Sequence, residues 1–445
     1  MPSSGIFSRH SSNQAPIIKE PLLRLSHNLV CWIVSLILLV STASAQERYF
    51  PPNTGSTWET TDPQELGWCQ DRIDSLLNFV GATHAKAFII LKGGKIVVEK
   101  YYDSFTVDSA WYWASAGKVV TAFLIGHAQE NGLLNISAPT STYLGEGWTS
   151  CTKDQEAAIT VRHQLTMTTG IDGRTPDDNC TEPSCLKYRD EPDTRWDYYN
   201  ATYLLLQDVI AKASNQTYQQ YYFRNLASRT GMGGLWIDGV LYSKPRAMAR
   251  FGLLVLNDGV WNSDTIIRDT AYLHRAMRPS QTLNPSYGYL WWLNGQGSYL
   301  RPGIPFVYST DLVPTAPKDI VAGLGKNDQK LYLIPSQDLV VVRLGNPASE
   351  ELPALSGFDT DLWRYISALP CSTSSISNDS GQGAQGATAP NRRALLVTPD
   401  VVSLNGLASY RLYDVAGRML TSGEGMEVDV TCYGYGPFIV EIEQK

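Results

Sequence analysis

Two apolar runs, Ala87 to Leu91 and Ile96 to Val98, flank Gly93-Gly94. Runs of this length around paired glycines predict a β-hairpin with a tight turn. Further along, Val119, Val120, Phe123, Leu124 and His127 recur at helical spacing and stop before Asn131-Gly132, so this stretch is read as a helix packing its apolar face on a sheet. A second helical run covers Ala201 to Ala213, with Leu204, Leu205, Asp208 and Ile210. Ile320 to Gly325, Leu331 to Pro335 and Leu339 to Val342 read as strands, the last two joined by a turn at Ser336-Gln337-Asp338.

The pattern changes at both ends. Arg9, Lys19 and Arg24 precede an apolar run from Leu29 to Val40, followed by the small residues Ser41-Thr42-Ala43-Ser44-Ala45. The run is short of the roughly 20 residues a spanning helix needs, so residues 1–45 are read as a signal peptide cut after Ala45. No cysteine follows that site, which argues against a lipoprotein. Residues 371–392, rich in Ser, Gly, Ala and Asn, read as a linker between a domain at 46–370 and a small all-β domain at 393–445. The strands expected in the latter are Ala394 to Val397, Tyr410 to Asp414, Arg418 to Leu420 and Phe438 to Ile442.

Candidate chemistry centres on Ser115-Ala116-Gly117-Lys118, at the start of the first predicted helix. Residues three apart on a helix have Cβ atoms roughly 5–6 Å apart, nearly within hydrogen-bonding reach of hydroxyl and amine. Burial near the positive end of a helix disfavours the ammonium form of Lys118, leaving neutral amine to take the Ser115 proton. Ser150-Cys151-Thr152-Lys153 and Ser184-Cys185-Leu186-Lys187 repeat the spacing, but in polar stretches that would bury neither lysine. Tyr198-Tyr199-Asn200, just ahead of the second helix, is the only Tyr-x-Asn in the chain. Its phenol could relay a proton to a leaving group and its amide could hold Lys118. Taken singly, a packed aromatic and a helix N-cap are the simpler reading. Backbone N–H groups of the strand ending at Gly325, with Lys326 to Gln329 after it, could form an oxyanion hole beside Ser115, its glycines admitting a substrate to the backbone.

Taken in order, SxxK at Ser115, Tyr-x-Asn at Tyr198 and the glycine-rich strand at Gly325, residues 70–370 resemble the serine β-lactamase and penicillin-binding superfamily. They are most similar to its class C-like esterases and 6-aminohexanoate-dimer hydrolases. The stretches Ile159 to Gly170, Met248 to Leu254 and Tyr287 to Trp292 are similar to family landmarks. The resemblance implies a mixed α/β (α+β) fold, an antiparallel sheet flanked by helices beside a mostly helical lobe. It implies Ser115 as acyl-enzyme nucleophile, Lys118 as base, Tyr198 as acid/base partner and Asn200 as an orienting residue. Ser115 and Lys326 would supply oxyanion N–H groups, and Trp113 and Gly325 would contact substrate. Lys326-Asn327-Asp328 departs from the Lys-Thr-Gly that grips a substrate carboxylate, which favours neutral esters or amides over β-lactams. Alternatives are a D-amino-acid peptidase or β-lactamase acting on cell-wall peptides, and a catalytically silent binding protein. The ends of such catalytic domains lie side by side, implying a Cys69–Cys371 disulfide, with Cys180–Cys185 the next pairing. The C-terminal run Tyr410 to Arg418 with Gly434 to Ile442 resembles the β-sandwich sorting domain of the type IX secretion route. That implies a secreted or cell-surface protein, exported through the periplasm, with the secretion machinery as partner.

Composition narrows the alternatives. At 445 residues, 43% hydrophobic, the chain is long enough for a two-lobed catalytic region and a small extra domain. A net charge of -7 argues against a nucleic-acid partner; a small-molecule ester or amide is the partner that the resemblance implies. Six cysteines remain after Ala45, which in an exported protein suggests disulfides. No metal and no cofactor is expected: there is no CxxC or clustered His/Cys spacing, and His163 reads as structural. The absence of GxSxG argues against an α/β-hydrolase.

Overall fold

The computed structural model describes residues 48–348, 355, 357–371, 392–397, 401–414, 419–429 and 438–444. The proposed signal peptide and nearly all of the proposed linker lie outside them. The chain divides into two compact units, 1–372 and 373–445.

The first unit is built on a six-stranded antiparallel sheet. Its strands are β1 (Ala85–Lys92), β2 (Lys95–Tyr101), β3 (Trp292–Leu293), β4 (Val321–Gly325), β5 (Gln329–Ile334) and β6 (Leu339–Gly345), in the order β2-β1-β6-β5-β4-β3. The hairpin turn falls on Gly93 and Gly94, both at positive φ, as a two-residue turn between twisted strands requires. The central strands are buried along their whole length because both faces of the sheet are covered. On one face lies α4 (Pro245–Leu256): a Cβ at Gly252 would come 2.6 Å from Val340 and 3.0 Å from Leu331 and Leu333. On the other lie α1 (Gln70–Ala82) and α5 (Gly357–Ser367), joined by stacking of Phe79 on Phe358 and Tyr365. Trp363 and Phe358 reach Tyr332 and Arg343 on that second face.

Alternating register puts Lys330, Tyr332 and Arg343 on the α5 face, and their polar ends are matched there. Lys330 Nζ lies 2.8 Å from Asp359 and 3.2 Å from Asp328, and the Tyr332 hydroxyl donates to Asp359. Arg343 donates to Asp328 O at 2.9 Å. Two cations and two carboxylates thus neutralise each other, which makes their burial tolerable.

The helical lobe is centred on α2 (Lys118–Glu130), whose residues are buried from Lys118 through Ala128. A helix buried on every side has weak amphipathic patterning, and α2 is packed all round rather than on one apolar face. It runs beside α3 (Asn200–Ser214), which ends with Asn215 in the left-handed region. The ends of the unit meet as expected: Cys69 and Cys371 form a disulfide, Cys69 N donates to Leu369 O and Cys371 N to Gly67 O. Cys180 and Cys185 form a second one. Cys151 is a free thiol among the described residues, and Cys432 lies outside them.

In the second unit β7 (Arg392–Val397), β8 (Val401–Asp414), β9 (Met419–Asp429) and β10 (Phe438–Gln444) form one antiparallel sheet in the order β7-β10-β8-β9. Among the described residues the expected all-β domain shows this one four-stranded sheet. β8 and β9 extend further than the sequence pattern suggested, because they pair with each other through Ser403 and across a register shift.

Candidate active site

Ser115 lies in a single 3-10 turn, Ala114–Gly117, that runs directly into α2. Trp113 pins this turn: its N–H donates to Leu241 O and its indole Nε1 to Ser243 Oγ, both at 2.8 Å. Ala114 has φ 47°, a left-handed conformation that an alanine holds only where its surroundings fix it. From the other side β4 closes in. A Cβ at Gly325 would lie 2.5 Å from Trp113 O and 2.9 Å from Ala116 N, and one at Gly323 3.1 Å from Ala116 O. β3 pairs only with Val321 and Ala322, so β4 runs on past it to the Ser115 turn without a strand partner on that side among the described residues.

Two expectations are corrected here. Trp113 is 0% exposed, tilted against Phe251 in the core, and cannot touch a substrate with its side chain. Gly325 makes room for the Ser115 turn itself, because that turn occupies the space where a substrate was expected to approach. Trp291 and Trp292 are likewise buried.

Lys118 Nζ lies 3.1 Å from Ser115 Oγ and donates at 2.8 Å to Asn200 Oδ1. The side chain is buried, with its residue only 4% exposed, and the amine lies 4.3 Å from the Tyr203 ring centroid and 5.2 Å from that of Tyr198. Desolvation pushes the Lys118 pKa down to about 7, against the opposing charge of Asp178. The two ring faces also favour the ammonium form, so burial is the larger effect. Near neutrality a substantial fraction of the amine is therefore uncharged and able to accept the Ser115 proton.

Asn200 is the first residue of α3 rather than its cap, a position held by Tyr199 without a side-chain hydrogen bond. Its Nδ2 donates to Asp178 Oδ2 at 2.8 Å, which turns Oδ1 towards Lys118. Tyr198 is stacked on Trp292 at 6.1 Å, tilted against Trp196 and edge-on to Tyr287. Burial holds its hydroxyl well above the ordinary tyrosine range, while its hydrogen bond with Ser115 pulls the other way. It is thus a neutral phenol at physiological pH, suited to giving a proton rather than taking one.

Lys326 follows β4 and lines a cleft of about 170 Å³ together with Ser115, Lys118, Asn200 and Tyr203. Its loop is fixed by groups behind it. Asn327 and Asp328 both have positive φ, Asn327 Nδ2 donates to Tyr112 Oη at 2.7 Å, and Gln329 Nε2 donates to Asn327 O and Gly345 O, each at 2.7 Å. Asp178 and Tyr203 were not singled out from sequence. Asp178 sits in a Pro/Asp-rich loop, where only its place beside Asn200 in space distinguishes it from Asp177.

The two other Ser-x-x-Lys sequences are not sites of this kind. Lys153 is three-quarters exposed and pairs with Glu146, and Lys187 is exposed, outside any helix, two residues past the Cys180–Cys185 disulfide. His163 closes a capping box with Thr160, a structural role, and its Nε2 lies 3.2 Å from Asp193, an acid thirty residues on that the local sequence does not announce.

The sheet, its helices and the helical lobe make a β-lactamase-like fold. A family model described as Beta-lactamase matches residues 77–240, which include Ser115, Lys118, Tyr198 and Asn200. A curated relative, named as a penicillin-binding protein, PbpX, of Bacillus subtilis (strain 168), is 30% identical over 159 residues, 32% of this chain and 39% of that protein. The chain thus matches well under half the length of that relative. Among solved structures, one from Bacillus anthracis named as a 6-aminohexanoate-dimer hydrolase aligns with TM-score 0.54 and 17% identity over 73% of this chain and 91% of its own. A structure from Bacteroides dorei DSM 17855 named as a β-lactamase aligns with TM-score 0.55 and 16% identity, over 68% and 99%. The likenesses to solved structures give the fold, and the family match and the curated relative support the superfamily of β-lactamases and penicillin-binding-like serine hydrolases.

Proposed function

We propose that the protein is a serine hydrolase that cleaves a carboxylic ester or amide through an acyl-enzyme at Ser115. The observation that carries this reading is the buried Lys118 amine, pushed down to about 7 and held between Ser115 Oγ and Asn200 Oδ1. Ser115 Oγ attacks the carbonyl carbon as its proton passes to Lys118 Nζ. The carbonyl oxygen takes the negative charge, towards the N–H groups of Ser115 and Lys326. Ser115 lies in the first turn of a helix, where N–H groups have no intrahelical acceptor. The bond to the leaving group breaks as Tyr198 gives it a proton, with Lys118 replenishing Tyr198. Water then enters by the reverse route, frees the acid and restores Ser115.

A second reading, hydrolysis of β-lactams or D-amino-acid peptides, is favoured by the likeness to a penicillin-binding protein. It is disfavoured by Asn327-Asp328 where the carboxylate grip would stand. The test is turnover of p-nitrophenyl acetate and nitrocefin by the purified protein and by Ser115→Ala. Ester turnover abolished in the variant is the expected result. Nitrocefin turnover at a comparable rate supports the second reading, and no turnover of either supports a binding protein on the same scaffold.

Export belongs to the same proposal. The apolar run before Ala45 and the sorting-like C-terminal sequence support secretion by the type IX route, with the secretion machinery as partner. A mature protein beginning near residue 46 and ending near residue 390 is the expected product, and retention of residues 393–445 in the exported protein would favour an accessory domain.

A further inference from the structure

The loop between Ile171 and Leu186 has no core of its own. Those two residues are 1% and 0% exposed and belong to one apolar cluster with Tyr199 and Ala201, yet no residue from Asp172 to Cys185 is buried. A polar segment that buries nothing has little to offset the entropy lost in holding one shape. The Cys180–Cys185 disulfide supplies a covalent tie there, joining residues five apart, one of them next to the anchored Leu186. Leu186 O in turn accepts from Ser150 N at 3.0 Å.

Beyond Cys180 the loop reaches the proposed active site. Cys180 N donates to Asp177 O at 3.4 Å and Asn179 N to Asp177 Oδ1 at 3.0 Å, which folds 177–180 into a turn. Asp178, in that turn, accepts from Asn200 Nδ2 and from Ala201 N, each at 2.8 Å. The second donor is an N–H of the first turn of α3, which has no intrahelical acceptor. Asn200 holds Lys118 through its amide oxygen, and Asn179 lines the cleft that Ser115 and Lys118 share. The disulfide, Asp178, Asn200 and Lys118 thus form one line of contacts that ends at Ser115.

We propose that Cys180 and Cys185 are positioning residues for the reaction at Ser115, their disulfide acting as a redox-sensitive clamp that holds Asp178 against Asn200. The proposal rests on the hydrolase reading above. When a dithiol opens the clamp, the S–S bond breaks and takes two electrons and two protons, leaving two thiols on the protein and a cyclic disulfide on the reductant. Residues 176–184 are then held to α3 by the Asp178 hydrogen bonds alone. As these are lost, Asn200 has no acceptor to orient its amide, and the Lys118 amine loses its fixed support. Turnover falls in the reduced form and returns when a disulfide oxidant takes back the two electrons and two protons.

The test is a double-mutant cycle between Asp178→Ala and the paired Cys180→Ala, Cys185→Ala variant, on whichever of p-nitrophenyl acetate and nitrocefin the wild type hydrolyses. Each alone is expected to lower kcat roughly tenfold with KM little changed, the order of one hydrogen bond to a charged group. Combined, they should lower it by about the same tenfold, because both break one line of contacts. Effects that multiply to roughly a hundredfold overturn the proposal, as does a wild-type kcat in either background. If the paired variant does not fold, the wild-type protein is treated with graded dithiothreitol, desalted and assayed, with thiol alkylation and peptide mapping reporting which disulfide is open. Turnover that falls in step with opening of Cys180–Cys185 and recovers on reoxidation upholds the clamp. Turnover that follows Cys69–Cys371, or neither, overturns it. If the oxidised wild type hydrolyses neither substrate and forms no adduct with a fluorophosphonate, the hydrolase reading fails by itself, and hydrogen exchange at the Ala201 amide decides on the clamp. Exchange roughly tenfold faster once Cys180–Cys185 is open upholds it, and unchanged exchange overturns it.

Discussion

At the residue scale, the proposed catalysis is set by how far burial of Lys118 outweighs the charges around it. Its pKa of about 7 predicts that kcat/KM rises with pH through that value, because the neutral amine is the reactive form. Asp178 is the charge that raises it, so Asp178→Asn should shift the acidic limb of the profile downward and raise relative activity near pH 6. A shift upward, or none, would mean that another group governs the limb. Asn200→Ala removes the acceptor that holds the amine in reach of Ser115. Turnover should fall by about 10²-fold, the order expected for losing a positioned catalytic proton acceptor. A change in KM alone would assign Asn200 to substrate binding.

At the element scale, the Ser115 turn is a joint between α2 and β4, and its tolerance is narrow. Gly325→Ala places a methyl within contact of Trp113 O and Ala116 N, backbone atoms that cannot swing aside. Destabilisation of about 1–3 kcal/mol is expected by denaturant titration, as for other overpacked sites, together with a loss of kcat out of proportion to any change in KM. Unchanged kcat would show that β4 does not set the position of the nucleophile. The hairpin, α2, α3 and the three late strands were legible because each has its own period and stop signal. Gly93-Gly94 and Asn131-Gly132 mark ends that the structure keeps. Less legible was everything that depends on long-range packing. Trp113 was read as a substrate contact because proximity to Ser115 in sequence does not say which way a side chain faces, and Gly325 because the room a glycine leaves does not say what fills it. Asp178, the Asp193 partner of His163 and the matched charges at Lys330 and Asp359 are each made by residues far apart along the chain.

At the scale of the whole molecule, an uncharged lysine in the interior costs stability. Unfolded, Lys118 titrates near 10.4; folded, it titrates near 7, so the unfolded state binds more protons between those values and stability rises with pH there. From pH 7 to 9 the gain is about 2 kcal/mol, and Lys118→Met should abolish it along with activity. A wild-type gain that persists in the variant would locate it in another group. The Cys69–Cys371 disulfide ties residues 302 apart. Its loss in the paired Cys69→Ala, Cys371→Ala variant should cost roughly 2–5 kcal/mol, measured by chemical denaturation, while the Ser115 site keeps its pH profile. The central claim is that Ser115 is a nucleophile activated by its neighbouring amine, and mass spectrometry of the intact protein after treatment with a fluorophosphonate tests it most directly. One adduct is predicted, mapped to the peptide bearing Ser115, formed faster as pH rises through about 7, slowed in Lys118→Ala and absent in Ser115→Ala. No adduct on the folded wild-type protein, or one that survives in Ser115→Ala, would contradict it.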